Sequence, residues 1–168
     1  AFAEITRLSQ TDELTGIYNR RGYESAMQDL LSKVSEDMTI TIVSIDMDNL
    51  KPINDIHGHA DGDFAIKELS EVIKSCLNEN EFCARYGGDE FSAVLVSKEK
   101  LRGVEFVNAF NKKLEELSDS IEKPYKIHAS IGFCDLNGRD TNDIVNCMRA
   151  ADERMYKNKR SYKGRDNG

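Results

Sequence analysis

Arg85-Tyr86-Gly87-Gly88-Asp89-Glu90-Phe91 lies between two short apolar runs, Phe82-Cys83-Ala84 and Phe91-Ser92-Ala93-Val94-Leu95-Val96. A Gly-Gly or Gly-Asp pair between strand-like runs predicts a tight hairpin, because glycine accepts the positive φ that such turns require. The hairpin holds two acids, Asp89 and Glu90, at a tip with little side-chain bulk. Acids in a solvated turn are the plain reading. A meeting with a metal-bound phosphate is the functional one, and partners elsewhere in the chain must decide.

The first partner stands at the end of Met38-Thr39-Ile40-Thr41-Ile42-Val43-Ser44-Ile45-Asp46-Met47-Asp48, a β-branched run that predicts a central strand. Alternation puts Asp46 and Asp48 on one face. If the hairpin pairs beside this strand, these acids converge with Asp89 and Glu90 although they lie far apart in sequence. Hard oxygen ligands of this kind suit Mg²⁺, which binds through one or two carboxylates plus substrate phosphates. Such a site fits phosphoryl or nucleotidyl transfer. Asp48 reads equally well as a cap on the next turn.

Asn49-Leu50-Lys51-Pro52-Ile53-Asn54-Asp55 follows and offers backbone N–H groups and Lys51 to phosphate oxygens. Asn49 to Gly62, with Pro52 and Gly58, predicts a loop or a short helical turn with loops. Asn54 and Asp63 are of the types that read a guanine edge; each alone is a loop amide or a helix cap. His57-Gly58-His59 is weak evidence for a metal, and His59 is expected to hydrogen-bond structurally.

The other elements follow from periodicity. Helices are expected over Arg20–Glu36, Asp63–Leu77, Lys98–Ile121 and Thr141–Tyr162, and a strand over Tyr125–Cys134, with a frayed tail at 163–168. The order α-β-α-β-β-α-β-α predicts an α+β domain, a mixed, largely antiparallel sheet flanked by helices. Phe2, Ile5 and Leu8 mark residues 1–11 as a linker helix. A first residue of Ala1 rather than Met points to a fragment with a sensor upstream.

The chain is 39% hydrophobic over 168 residues, enough for one domain with a real core. Its net charge of −7 argues against a nucleic-acid partner. No run approaches a membrane span. Cys76, Cys83, Cys134 and Cys147 form no Cys-x-x-Cys pair and read as free thiols in a reducing cytoplasm. Arg149, Arg154, Lys157, Lys159, Arg160, Lys163 and Arg165 make the last helix basic; they suit its dipole, or one or two reach a triphosphate.

Asp12-Glu13-Leu14-Thr15-Gly16-Ile17-Tyr18-Asn19-Arg20-Arg21, Ile45-Asp46-Met47-Asp48, Lys51-Pro52-Ile53-Asn54-Asp55, Gly58-His59-Ala60-Asp61-Gly62-Asp63, the hairpin, Ala129-Ser130-Ile131-Gly132 and Ala150-Ala151-Asp152-Glu153-Arg154-Met155-Tyr156 occur in an order that resembles the GGDEF-domain diguanylate cyclases over residues 8–166. The resemblance implies a fold similar to the nucleotide cyclase and polymerase palm core, from residue 12 onward. It implies conversion of two GTP into cyclic di-GMP and two pyrophosphates across a homodimer, with each domain holding one GTP whose 3′-hydroxyl attacks the other's α-phosphate.

By that resemblance Asp46, Met47, Asp89 and Glu90 are the metal positions, for two Mg²⁺ or Mn²⁺ ions. Asp89 and Glu90 are catalytic, with the division of labour between them open. Asn54 and Asp63 contact guanine; Asn49, Leu50, Lys51, Gly87, Gly88 and Lys159 contact the rest of the substrate. Asp63 favours guanine in both halves of the product. The family often has an aromatic before the lysine of the phosphate loop, where this chain has Leu50. Its Lys-x-x-Gly-Arg ending is stretched over 159–165, so the cation that meets the γ-phosphate is open. Asn78 and Glu81 stand where many members carry the Arg and Asp of a product-inhibition site, so no inhibitory site is expected here. The alternative is a catalytically silent module that binds GTP or transmits a signal.

Overall fold

The computed structural model describes residues 9–166, with side chains as far as Ser161. The predicted linker helix falls mostly on residues 1–8, outside the described residues; Ser9–Thr11 are turn and bridge. The elements are α1 (Arg20–Lys33), β1 (Thr39–Met47), α2 (Leu50–His57), α3 (His59–Ser75), β2 (Phe82–Arg85), β3 (Glu90–Ser97), α4 (Arg102–Ser120), β4 (Ala129–Asn137), a short 3₁₀ turn (Thr141–Asp143) and α5 (Ile144–Asp166). The four strands lie in the order β2-β3-β1-β4, and every pairing is antiparallel. The fold is the expected α+β, with helices on both faces of the sheet.

β1 is central because both its faces are apolar. Val43, Ile45 and Met47 pack with Leu69 and Ile73 of α3 and Phe106 and Phe110 of α4. Ile40 and Ile42 pack on the other side with Tyr23 and Met27 of α1 and Cys147 and Ala151 of α5. Each such buried side chain contributes about 1.5–3 kcal/mol of burial. Along the α5 face the strand changes character, from Ile40 and Ile42 to Ser44 and Asp46. The helix changes with it, since Ser44 Oγ donates to Asp152 at 2.5 Å and Lys159 Nζ donates to Asp46 at 2.5 Å.

Gly132 of β4 makes that match possible. A Cβ there would lie 2.2 Å from the Met155 backbone nitrogen and 2.6 Å from the Ala151 carbonyl oxygen. The missing side chain lets α5 lie close enough over the sheet for Asp152 and Lys159 to reach β1. The edge strand β2 is covered rather than left open. Tyr18 bridges to Ala84, and Arg85 N–H donates to Tyr18 C=O at 2.9 Å.

Several boundaries differ from the sequence expectation. Residues 49–62 are mostly helix: α2 and α3 meet at Gly58, whose φ is 95°. Pro52 is tolerated because it stands in the first turn of α2, where no intrahelical N–H bond is lost. β4 begins at Ala129, not Tyr125, and runs to Asn137, because its partner β1 spans 39–47. Alternation at 125–128 therefore has no strand to pair with. α5 proper starts at Ile144 after the 3₁₀ turn and continues past Tyr162 to Asp166. α1 ends at Lys33, and α4 spans Arg102–Ser120. All four cysteines are free; Cys76, Cys83 and Cys147 are buried. Among the described residues no helix is long and apolar enough to cross a membrane.

Candidate active site

The hairpin joins β2 to β3 through Tyr86, Gly87, Gly88 and Asp89. It is not the glycine-dependent tight turn expected. Neither Gly87 nor Gly88 lies in the left-handed region, and a Cβ on either would meet nothing within 4 Å. The glycines leave space above the loop; the loop's geometry does not demand them. What shapes the tip is Arg85. Its Nε donates to Gly87 C=O at 3.1 Å, and its Nη2 donates to Gly88 C=O at 3.1 Å. Its Nη1 reaches the Asp12 carboxylate at 3.2 and 3.3 Å. Asp12 also accepts from the N–H and hydroxyl of Thr15, at 3.0 and 2.6 Å. Tyr86 packs edge-on to Tyr23 of α1 with centroids 5.1 Å apart. The tip is thus held from both the 11–18 segment and α1. Neither spacing nor periodicity assigns Arg85 or Asp12 a role; their opposite charges in two separate motifs are the local signal of this pairing.

Register sets Asp46 and Glu90 side by side, and the loop brings Asp89 to the end of β1. Asp46 is the cross-strand partner of Glu90 on one side and of Ser130 on the other. Met47 N–H donates to Asp89 C=O at 2.9 Å, so the loop acid is tied to the strand end. Asp46 is only 8% exposed. Burial pushes its carboxyl above the ordinary value, the Lys159 contact opposes that, and the nearby Asp89 charge raises it further. Asp46 Oδ1 is buried with no hydrogen-bond partner among the described residues. A buried, half-satisfied carboxylate with two further acids nearby is the environment a divalent cation would complete. No cluster of three or more candidate ligands is closed by the described side chains themselves. That donor set fits an ion such as Mg²⁺ or Mn²⁺ that takes its remaining oxygens from a phosphate.

Asp48 does not join them. β1 ends at Met47, and the Asp48 side chain, 2% exposed, accepts from Ser130 Oγ at 2.7 Å and pairs with His128 Nδ1. Nor is it a cap: Asn49 holds the N-cap position of α2. Asp48 instead ties the strand end to β4.

The expected base readers lie on two helices that touch. Asn54 is on α2 and Asp63 on α3, where Asp63 is exposed. Gly62 makes the contact, since a Cβ there would sit 1.8 Å from Asn54 Oδ1. Asn49, Leu50 and Lys51 open α2, where helix N–H groups have no internal partner. Asn49 Nδ2 donates to Lys126 C=O at 2.7 Å. Lys51 extends into solvent, 88% exposed. Lys159 lies on Asp46, 17% exposed. Burial lowers its pKa, but Asp46, with Asp48 and Asp89 behind it, more than offsets this and keeps the ammonium above its ordinary value. His59 does not play the structural part expected of it: it is exposed and makes no side-chain hydrogen bond among the described residues.

The Glu81 side chain is fully enclosed. Its two oxygens accept from Asn78 N–H (2.7 Å), Val96 N–H (3.1 Å), Arg102 Nε (3.0 Å) and Arg102 Nη2 (2.6 Å). Both side chains are out of water, Glu81 at 0% and Arg102 at 5% exposure.

The family model described as diguanylate cyclase, GGDEF domain, matches residues 9–165. The chain belongs to the GGDEF domain family. This GGDEF domain is 32% identical over 170 residues to diguanylate cyclase DgcP of Escherichia coli, covering 95% of this chain and 47% of that one. It is 31% identical to the cyclic di-GMP phosphodiesterase PdeR of the same organism, covering 94% of this chain and 23% of PdeR. The GGDEF domain thus spans less than half the length of either relative. Among solved structures it superposes on the coiled coil and GGDEF domain of DgcB from Caulobacter crescentus, crystallised with c-di-GMP. The TM-score is 0.81 at 26% identity, covering 95% of this chain and 85% of that one.

Proposed function

We propose that this GGDEF domain is a diguanylate cyclase that condenses two GTP into cyclic di-GMP across a homodimer. One observation carries the reading most: Asp46, buried with one oxygen unpartnered among the described residues, stands beside Asp89 and opposite Glu90 in the register of β1 and β3. Asp46 and Glu90, with Met47 at the strand end and Asp89 beside them, would hold one or two Mg²⁺ or Mn²⁺ ions. When bound, the metal supplies positive charge to the phosphates and eases ionisation of the attacking hydroxyl.

The chain's residues do the rest. Asn54 and Asp63 orient guanine, with Asp63 accepting from the base's N–H groups. The free N–H groups at the start of α2, from Asn49 to Lys51, face phosphate oxygens, aided by the helix dipole. Lys51 and Lys159 add charge. Gly87 and Gly88 keep the space over the tip clear for the nucleotide. Asp89 or Glu90 takes the 3′-hydroxyl proton as the 3′-oxygen bonds to the partner nucleotide's α-phosphorus and pyrophosphate leaves. Each domain holds one GTP, so two copies must face each other for both bonds to form.

Incubation of a dimerised chain with GTP and Mg²⁺, with the nucleotides resolved, tests this. Cyclic di-GMP and pyrophosphate are expected; Glu90→Gln should cut turnover at least ~100-fold while leaving the thermal transition in place. A second reading, a silent GTP-binding regulatory module, is favoured by the match to PdeR, whose name records a different activity. GTP binding with no cyclic product from an assembled dimer would establish it.

A further inference from the structure

Lys159 occupies one oxygen of the carboxylate proposed above to hold a divalent cation. Lys159 Nζ donates to Asp46 Oδ2 at 2.5 Å, while Oδ1 of the same carboxylate is buried without a partner among the described residues. The ammonium has Asp48 and Asp89 close enough to add their field to that of Asp46. The helix that brings it is pinned beneath, by Asp152 on Ser44 and by the close approach over Gly132. Asn158, one residue before, is fixed as well: its Oδ1 accepts from Ile131 N–H at 3.0 Å. Only the flexible four-carbon stem of Lys159 is free to move.

We propose that Lys159 is a stand-in for the divalent cation on Asp46, displaced by the ion and thereby handed to the nucleotide's triphosphate. The inference rests on the metal role proposed above for Asp46. A divalent ion and an ammonium on one carboxylate repel at a few ångströms, and the mobile partner leaves. The released ammonium is then beside the place where phosphates gather around the ion. Ion and triphosphate therefore bind cooperatively: the ion frees the lysine for the phosphates, and the phosphates hold the lysine away from the ion's seat. By linkage each tightens the other to the same degree.

The test uses Mn²⁺ without nucleotide, followed by electron paramagnetic resonance of the free ion. Lys159→Met removes the competing charge and keeps the stem length; it should bind Mn²⁺ on the order of tenfold more tightly than the parent chain. Its thermal transition should fall in metal-free buffer and recover with Mn²⁺ by more than the parent's does. Equal or weaker Mn²⁺ binding overturns the exchange. No Mn²⁺ binding by either protein, with or without a non-hydrolysable GTP analogue, instead sinks the metal reading of Asp46 on which it rests. A second measurement needs no variant. Acylation of Lys159 by a succinimidyl ester, read by mass spectrometry on the parent chain, should speed up when Mg²⁺ alone is added; an unchanged rate overturns the proposal.

Discussion

Glu81, just before β2, and Asp46, at the end of β1, both have side chains largely withdrawn from water, and the fold treats them in opposite ways. Glu81 receives hydrogen bonds on both oxygens, two of the four from a buried arginine. Asp46 receives one ammonium on one oxygen and, among the described residues, nothing on the other, with a second acid alongside. Buried polar groups are ordinarily satisfied, because an unmade hydrogen bond in a low dielectric is costly. Glu81 follows that rule and reads as structure. Asp46 departs from it and reads as a functional group.

The contrast can be broken by mutation. Arg102→Met leaves the Glu81 charge buried and unpaired, so it should cost about 3–5 kcal/mol in a denaturant melt. Asp46→Asn removes a charge that burial and Asp89 already disfavour; its stability should change by less than about 1 kcal/mol while cyclic di-GMP synthesis is lost. If both variants lose stability equally, the distinction between the acids fails. Glu81 also bears on feedback. With its carboxylate held by Arg102 and with Asn78 in place of an arginine, titrating cyclic di-GMP against activity should show little inhibition through this patch. Strong inhibition that disappears on Asn78 substitution would contradict it.

A third acid, Asp61, sharpens the comparison from the exposed side. The Tyr125 hydroxyl (2.8 Å) and then Lys123 (3.0 Å) hold its carboxyl below the ordinary 3.8. A lowered acid stabilises the fold above its ordinary value, and the gain is lost as pH falls through the lowered one. Tyr125→Phe should therefore lose a small increment of stability near neutrality, and the gap from the parent should close in acid. A gap that stays constant with pH would mean the tyrosine acts by packing alone.

Much of this was legible in the chain because periodicity is a local property. β1 and the hairpin strands appeared where both sheet faces demanded apolar residues. The convergence of Asp46 with Asp89 and Glu90 was legible only as a condition, that the hairpin pair beside β1, and the register fulfils it. What stayed hidden depends on partners distant in sequence. Asp48 shares parity with Asp46, but parity stops mattering where the strand stops, and His128 and Ser130 draw it to β4. Residues 125–128 alternate like a strand yet have no neighbour to pair with. Arg85 with Asp12 and Arg102 with Glu81 are joined across the fold, and no spacing rule reveals them. The glycines of the hairpin misled because the same residue answers two needs, a left-handed backbone and open space; here only the second applies.

The joint at Gly58 carries a consequence of another kind. Its positive φ folds α2 back against α3, and Gly62 seats Asn54 in the angle. The residues proposed to recognise the base thus sit on a two-helix arm, separate from the strands that carry Asp46 and Glu90. Such a division lets the base contacts change on the arm while the strands that carry the acids stay intact. It also makes the angle between α2 and α3 a single point of fragility, since any L-residue at position 58 would strain the joint on which both base contacts depend.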